Sequence, residues 1–279
     1  MSIKKLLKLY AVTSCHAGSG SSLGIVDLPI QREKHTNWPI IQASGVKGAM
    51  RMHCYNKNMN DINSIFGNSE GNETESTAGS FSITDARILA FPVRSNIAPF
   101  VWIICPAVLK RLNKDLEVIN LPAINLDNIS FENNEVSYFV SGNFTQNQDV
   151  LVEDMPTKIK QQINLNMNIF DGIERLIIVS DEVFNYAVEN CTQIMAQIKI
   201  NEQTGTTKDG SLRYIEELPS DTVMYSLINI DNSKSSDNLT AEKIMDTLKE
   251  TIKNHIQIAG EQTNGRGIFE ITWIDGGNK

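Results

Sequence analysis

The residues best placed for chemistry lie between His16 and Arg51, in the stretch HAGSGSSLGIVDLPIQREKHTNWPIIQASGVKGAMR. One acid, Asp27, stands between Val26 and Leu28, behind a run of Gly and Ser too poor in apolar residues to be core. Pro29 has no amide proton and holds its neighbours extended, so no helix starts there. Arg32 and Lys34 follow. The stretch closes on Ser44-Gly45-Val46-Lys47-Gly48-Ala49-Met50-Arg51, where the pattern predicts a helix capped by Ser44 and running to about Asn58. Glycines at a helix start let a phosphate approach, and the amides there favour an anion. Lys47 and Arg51 are four apart and share a helical face. A solvated face is the commoner use of such a pair. A basic helix start beside a Gly-rich loop with one acid suits a phosphodiester held near a carboxylate.

Other chemistries fit less well. Cys15-His16 and His53-Cys54 carry zinc-ligand types, but neighbouring strand side chains point to opposite faces, so both members of a pair rarely reach one metal. Two core cysteines and two surface histidines are the preferred reading. The four cysteines contain no C-x-x-C pair and read as reduced cytosolic thiols. The glycines of GSGSSLG are followed by Pro29 where a dinucleotide-binding helix would run. There is no P-loop motif, and no aromatic RNP segment in a chain that is 7% aromatic. Any RNA contact must therefore rest on backbone contacts and shape, not on a stacking platform.

The elements that must position these residues come from a chain of 279 residues, long enough for a sizeable core, with 41% hydrophobic residues. Its net charge of −8 argues against a generally basic nucleic-acid binder but leaves room for a local basic groove. The N-terminus lacks the apolar run and cleavage site of a signal peptide, and no stretch approaches a membrane span, so a cytoplasmic protein is expected. Ile3 to Val12 reads as a strand. Residues 67–80 hold no large apolar side chain and read as a mobile loop. Phe81 to Val93 returns as strand, with Asp85 and Arg87 as a structural pair or an edge contact. Pro106 opens a helix. Residues 113–150 read as an insertion with small strands. Arg175 to Ser180 is a buried strand, and Asp181 caps a helix. Ile194 to Ile200 alternates as a strand, and 201–220 is a hairpin-like excursion with a turn at Asp209-Gly210. Thr222 to Ile230 returns as a strand. A helix from Thr240 to His255 and strands through Ile274 close the chain. The mixture predicts an α+β sheet with helices on one side.

The order H-x-G…G-x-V-D-x-P-I-Q-R-E…P-x-I-x-A-S-x-x-K-G-A-x-R resembles the RAMP superfamily of CRISPR proteins, and within it the backbone subunits of Cmr-type (type III-B) effector complexes. FSITDARILAFPVRS at 81–95 and GEQTNGRG at 260–267 extend the resemblance to both ends of the chain.

That resemblance implies a single RAMP domain over 1–279 with a ferredoxin-like, RRM-like core and long insertions, 201–220 being the candidate β-hairpin thumb. It implies copies of the chain stacked in a filament along a CRISPR guide RNA, with other effector subunits and a single-stranded target RNA as partners. Lys47 and Arg51, with the amides of Gly45 and Gly48 and with Ser44, would bind guide phosphates, joined by Arg32 and Arg266. Asp27 is the candidate for metal-dependent cleavage by attack of a ribose 2′-OH, with Mg or Mn as the divalent ion, whose other ligands come from substrate phosphate. His16 would also lie against RNA, where it would act as acid or base, or shape the loop. A non-catalytic RNA-binding scaffold and a guide-processing nuclease are the competing functions.

Overall fold

A computed structural model describes residues 2–68, 77–233 and 239–277. Ile3–Ala11 forms β1, and Ile40–Ile41 (β2) leads into Ala43–Asn56 (α1) and Ile62–Phe66 (α2). Phe81–Ile83 (β3), Ala86–Val93 (β4), Val101–Ile104 (β5) and Pro106–Val118 (α3) follow, Pro106 opening its helix as expected. Next come Val136–Phe139 (β6), Asp149–Val152 (β7), Met155–Gln162 (β8) and Leu176–Ile178 (β9). Asp181–Asn190 (α4) precedes a ribbon of Gln193–Gln197 (β10) and Arg213–Glu217 (β11). Val223–Ile230 (β12), Ala241–Thr251 (α5), His255–Gln257 (β13) and Ile268–Asp275 (β14) complete the chain.

One mixed sheet runs β13-β14-β1-β12-β4-β5-β9-β6-β8-β7, with β2 beside β4 and β3 beside β12. Neighbours are antiparallel except β5 with β9 and β6 with β8. In the central quartet β14-β1-β12-β4, α1 lies on the path from β1 to β4 and α5 on the path from β12 to β14. β10 and β11 form a two-stranded sheet of their own, apart from the main sheet.

Helices cover both faces of the sheet, not one. Lys5 and Lys249 of α5 meet at Asp275 on one face. Lys4, pointing the other way, donates to Val118 O at the end of α3, at 2.9 Å. On that same side Asp115 of α3 accepts from Tyr225 Oη and Arg87 NH1, both at 2.8 Å. The reason lies in the strands: β12 and β4 are buried at nearly every position, both alternations included, so each face needs a cover.

Several local expectations shift by one capping interaction. α1 begins at Ala43, not behind Ser44, and its first amide donates to Asp85 Oδ1 at 2.7 Å. Asp85 is therefore committed to α1 and Arg87 to Asp115, so the two do not pair. Ser180, not Asp181, caps α4, its Oγ accepting from Val183 N. Asp181 instead accepts from Ala107 N at the start of α3. Thr240 caps α5 as expected, but the helix ends at Thr251 and His255 already belongs to β13. The 113–150 stretch carries the last turn of α3, then β6 and the start of β7, which with β8 extend the main sheet beyond β9. Most of the 67–80 loop, residues 69–76, lies outside the described residues.

Candidate nucleic-acid interface and cleavage site

Asp27 sits half-buried in the N-terminal loop, and its Oδ2 accepts the Tyr214 main-chain amide at 2.7 Å. The next residue continues the contact. Leu28 N donates to Tyr214 O at 3.1 Å, and Glu216 N donates to Leu28 O at 3.0 Å. Leu28 thus bridges to Ile215 in parallel, adding a short third strand to the open edge of β11. Pro29 falls where that pairing asks for no donor, and Ile30 N goes to Glu216 Oε2 at 3.0 Å. Among the described residues no protein group donates to Asp27 Oδ1.

Glu216 and Glu217 are adjacent buried carboxylates at the root of the ribbon, on opposite faces of the strand. Each faces an arginine from a different loop. Arg32 NH2 is 2.6 Å from Glu216 Oε1, and Arg32 NH1 also donates to Asn37 O and Val188 O. Arg266 Nε is 3.0 Å from Glu217 Oε1, an ion pair without hydrogen-bond alignment, while Ser14 Oγ donates to Glu217 Oε2 at 2.6 Å. Both arginines expected to meet RNA phosphate thus have their charge met inside the protein. Burial, then the Glu217 charge, push the neighbouring Cys15 thiol up to about 12.

His16 ties the two loops to the ribbon. Its Nδ1 is 2.7 Å from Glu216 O, and its own carbonyl accepts from Gly260 N at 3.1 Å. A Cβ at Gly18 would lie 2.7 Å from His16 Nε2, so only glycine lets the ring rest there. Gly267 has φ +73°, and a Cβ on it would stand 1.9 Å from Ile258 O; its amide donates to Ser14 O at 2.8 Å. The N-terminal loop, the 260–267 loop and the root of β11 therefore form one unit.

The start of α1 is joined to that unit by Gln31, whose Nε2 donates to Gly18 O and whose Oε1 accepts from Gln42 N. The amides of Gly45 and Gly48 are not open to phosphate. Gly45 N donates to Gln42 O, and Gly48 lies inside the helical ladder. The anion at this helix start is Asp85. Ser44, Gly45 and Gly48 instead form exposed, side-chain-poor ground on α1. Lys47 Nζ donates to Phe81 O at 3.0 Å, and Arg51 donates to Gly67 O and Asn63 Oδ1 at 2.6 and 2.8 Å. Partial burial, then the Arg51 charge, lower the pKa of Lys47.

The polar excursion is longer than its sequence suggested. Its paired root begins at Gln193, and its tip is the Asn201–Thr206 turn, closed by Asn201 N to Thr206 O at 2.8 Å. Asp209-Gly210 makes a second turn on the returning side, where Ser211 N donates to Lys208 O. Sequence reasoning passed over Gln31, Tyr214, Glu216 and Glu217. The one signal available was the paired acid in RYIEELP, inside an otherwise apolar strand pattern.

Fold and site together define the class: an α+β sheet protein in which two sequence-distant loops and a projecting ribbon converge beside one loop-borne carboxylate. The RAMP superfamily pattern matches residues 8–270, and the chain belongs to that superfamily. It is 34% identical to the CRISPR system Cmr endoribonuclease Cmr4 of Pyrococcus furiosus, over 96% of this chain and 94% of that one. It is 27% identical to the CRISPR system CMR subunit Cmr4 of Saccharolobus solfataricus, over 95% and 94%. The crystal structure of oligomeric Cmr4 from Pyrococcus furiosus superposes with a TM-score of 0.69 at 27% identity, covering 98% of each chain. A chain of the type III-B Cmr-beta complex bound to cognate target RNA superposes at 0.78 with 20% identity, over 97% and 96%, a likeness of fold.

Proposed function

We propose that this chain is the backbone subunit of a type III-B CRISPR effector complex, several copies of which hold a guide RNA and cut the bound target RNA at regular intervals. Support comes from the 34% identity to a protein named as an endoribonuclease and from the likeness to an oligomeric relative. The observation that carries cleavage is the placement of Asp27, held by the Tyr214 amide at the root of the ribbon. In this reading β14-β1-β12-β4 with α1 and α5 is the ferredoxin-like core, supported by its strand order and its two helical crossovers. The ribbon of β10 and β11 is the thumb. Lys47, Arg51 and the exposed ground of Ser44, Gly45 and Gly48 carry guide RNA; Arg32, Arg266 and His16 hold the site together. The complex works in the cytoplasm.

The reaction is attack by a ribose 2′-OH on the adjacent phosphate, which forms a 2′,3′-cyclic phosphate as the bond to the next nucleotide's 5′-oxygen breaks, that oxygen taking a proton from water. Asp27 orients that hydroxyl or accepts its proton. The described residues contain no group of three or more metal-ligating side chains. One carboxylate supplies one hard oxygen ligand, so a bound Mg or Mn ion fits only with phosphate oxygens and water completing its shell. Such an ion would neutralise charge on the phosphate.

The test is Asp27→Asn in the reconstituted complex. Asn keeps an oxygen for the Tyr214 amide and loses the charge. Target cutting should disappear while guide binding and assembly persist, and chelation of divalent ions should stop the parent complex until Mg or Mn is restored. Cutting at the parental rate by the variant would leave the chain a scaffold.

A further inference from the structure

Gln31 stands where the Asp27 loop meets the start of α1, and all four of its polar groups are used. Its main chain is the middle of three short antiparallel segments: Gly18 bridges Ile30 on one side, and Arg32 bridges Pro39 on the other. Gln31 N donates to Ala17 O at 2.7 Å, and Gln31 O accepts from Ile40 N at 3.0 Å. The half-buried side chain repeats that span. Its Nε2 donates to Gly18 O at 3.1 Å, and its Oε1 accepts from Gln42 N at 2.9 Å. Gly18 leads into the loop that carries Asp27. Ser19 N donates to Pro29 O at 3.0 Å and Ser22 N to Asp27 O at 2.8 Å, so the two legs of that loop are paired. Gln42 is the N-cap of α1, and its carbonyl takes the Gly45 and Val46 amides. One side-chain amide thus ties the carboxylate's loop to the first turn of the helix that bears Ser44, Gly45, Lys47 and Gly48.

Guide and target are paired, so guide phosphates carried on α1 fix where each target linkage lies. The separation of α1 from Asp27 then fixes which linkage meets the carboxylate. We propose that Gln31 is the positioning residue that sets this separation, and with it the place and rate of the cut. The demand is strict, because misplacing a reacting group by about 1 Å costs roughly a hundredfold in rate. The tie needs a donor toward Gly18 O and an acceptor toward Gln42 N on one uncharged side chain of this length. An ionised glutamate has no donor and sets its charge against the Gly18 carbonyl. Methionine keeps the length and loses both bonds; asparagine is one methylene short. The main-chain bonds of Gln31 do not use its side chain, so the three segments and β2 should stay paired in each variant.

This rests on the reading of Asp27 as the cleavage residue and of α1 as the guide-bearing helix, and the experiment separates them. Complexes are assembled on one guide with the parent chain, Gln31→Met, Gln31→Glu or Asp27→Asn. Trp38→Phe serves as a control that loses a different bond of the same region, Trp38 Nε1 to Asn185 Oδ1 at 3.0 Å. Guide affinity, target affinity, single-turnover cutting at saturating target and the position of each cut are measured. Both Gln31 variants should keep parental affinity for guide and target, cut at least about tenfold more slowly, and yield some product cut at neighbouring linkages. Trp38→Phe should melt at a lower temperature than the parent yet cut at the parental rate and position. Parental cutting by both Gln31 variants, beside an inactive Asp27→Asn, overturns the positioning role and leaves the Asp27 reading standing. Equal slowing by Trp38→Phe overturns it too, because lost stability alone would then explain the effect. Loss of guide binding by both Gln31 variants also overturns it and makes Gln31 part of the grip. Full cutting by Asp27→Asn removes the carboxylate from the reaction, and the proposal with it.

Discussion

Arg32 and Glu216 meet at 2.6 Å with only 15% and 8% of their side chains exposed, and this pair fastens the Asp27 loop to the root of the ribbon. Two residues before Glu216 in the same strand, the Tyr214 amide holds Asp27 itself. The carboxylate and the ribbon are thus a single mechanical unit. A tilt of the ribbon moves Asp27 with it.

Arg32→Ala should lower stability by about 3 kcal/mol, because Glu216 would keep a buried charge without its partner. Thermal melting of the isolated chain measures this. A phosphate-binding Arg32 would give the opposite pattern: unchanged melting and a weaker dependence of guide binding on salt.

Lys47→Ala with Arg51→Ala should weaken guide binding for every guide sequence. The slope of log K against log salt should fall by about 0.7 for each phosphate that is no longer neutralised. Both side chains now donate to main-chain carbonyls at Phe81 and Gly67, so RNA phosphate must draw them from those partners or share their remaining donors. Salt titrations of guide binding by the assembled subunit test it. Weakening confined to particular sequences, or an unchanged slope, would count against the guide role.

Replacing the Asn201–Thr206 tip with an Asn-Gly turn should leave the protein folded, since Ile200 still pairs with Thr207 and the root from Gln193 to Glu217 is untouched. In-line attack needs a geometry that a regular A-form helix does not offer, so distortion of the duplex is part of the chemistry. The shortened protein should assemble on guide RNA yet cut target slowly or at irregular positions. A ladder of normal spacing at the normal rate would place the thumb elsewhere in the chain.

What the amino-acid order determined by itself was local. Alternation predicted β1, Pro106 predicted the start of α3, and Thr240 predicted the start of α5, because each depends on residues within one turn or one strand. The resemblance singled out the loop around Asp27 and the glycines at 260–267, but as separate segments. The tertiary structure decided their meeting. Glu216 and Glu217 read as ordinary acids of the polar 201–220 excursion until folding brings Arg32 from 184 residues away to the first and Arg266 to the second. Helix caps were misread for the same reason: the amide of Ala43 is taken by Asp85, 42 residues downstream, and no local rule weighs a distant carboxylate against a neighbouring serine. Exposure was equally invisible. An Ile or Tyr in an alternating strand looks like core, and only the absence of any layer over the β10–β11 ribbon among the described residues leaves Ile198 and Tyr214 in solvent.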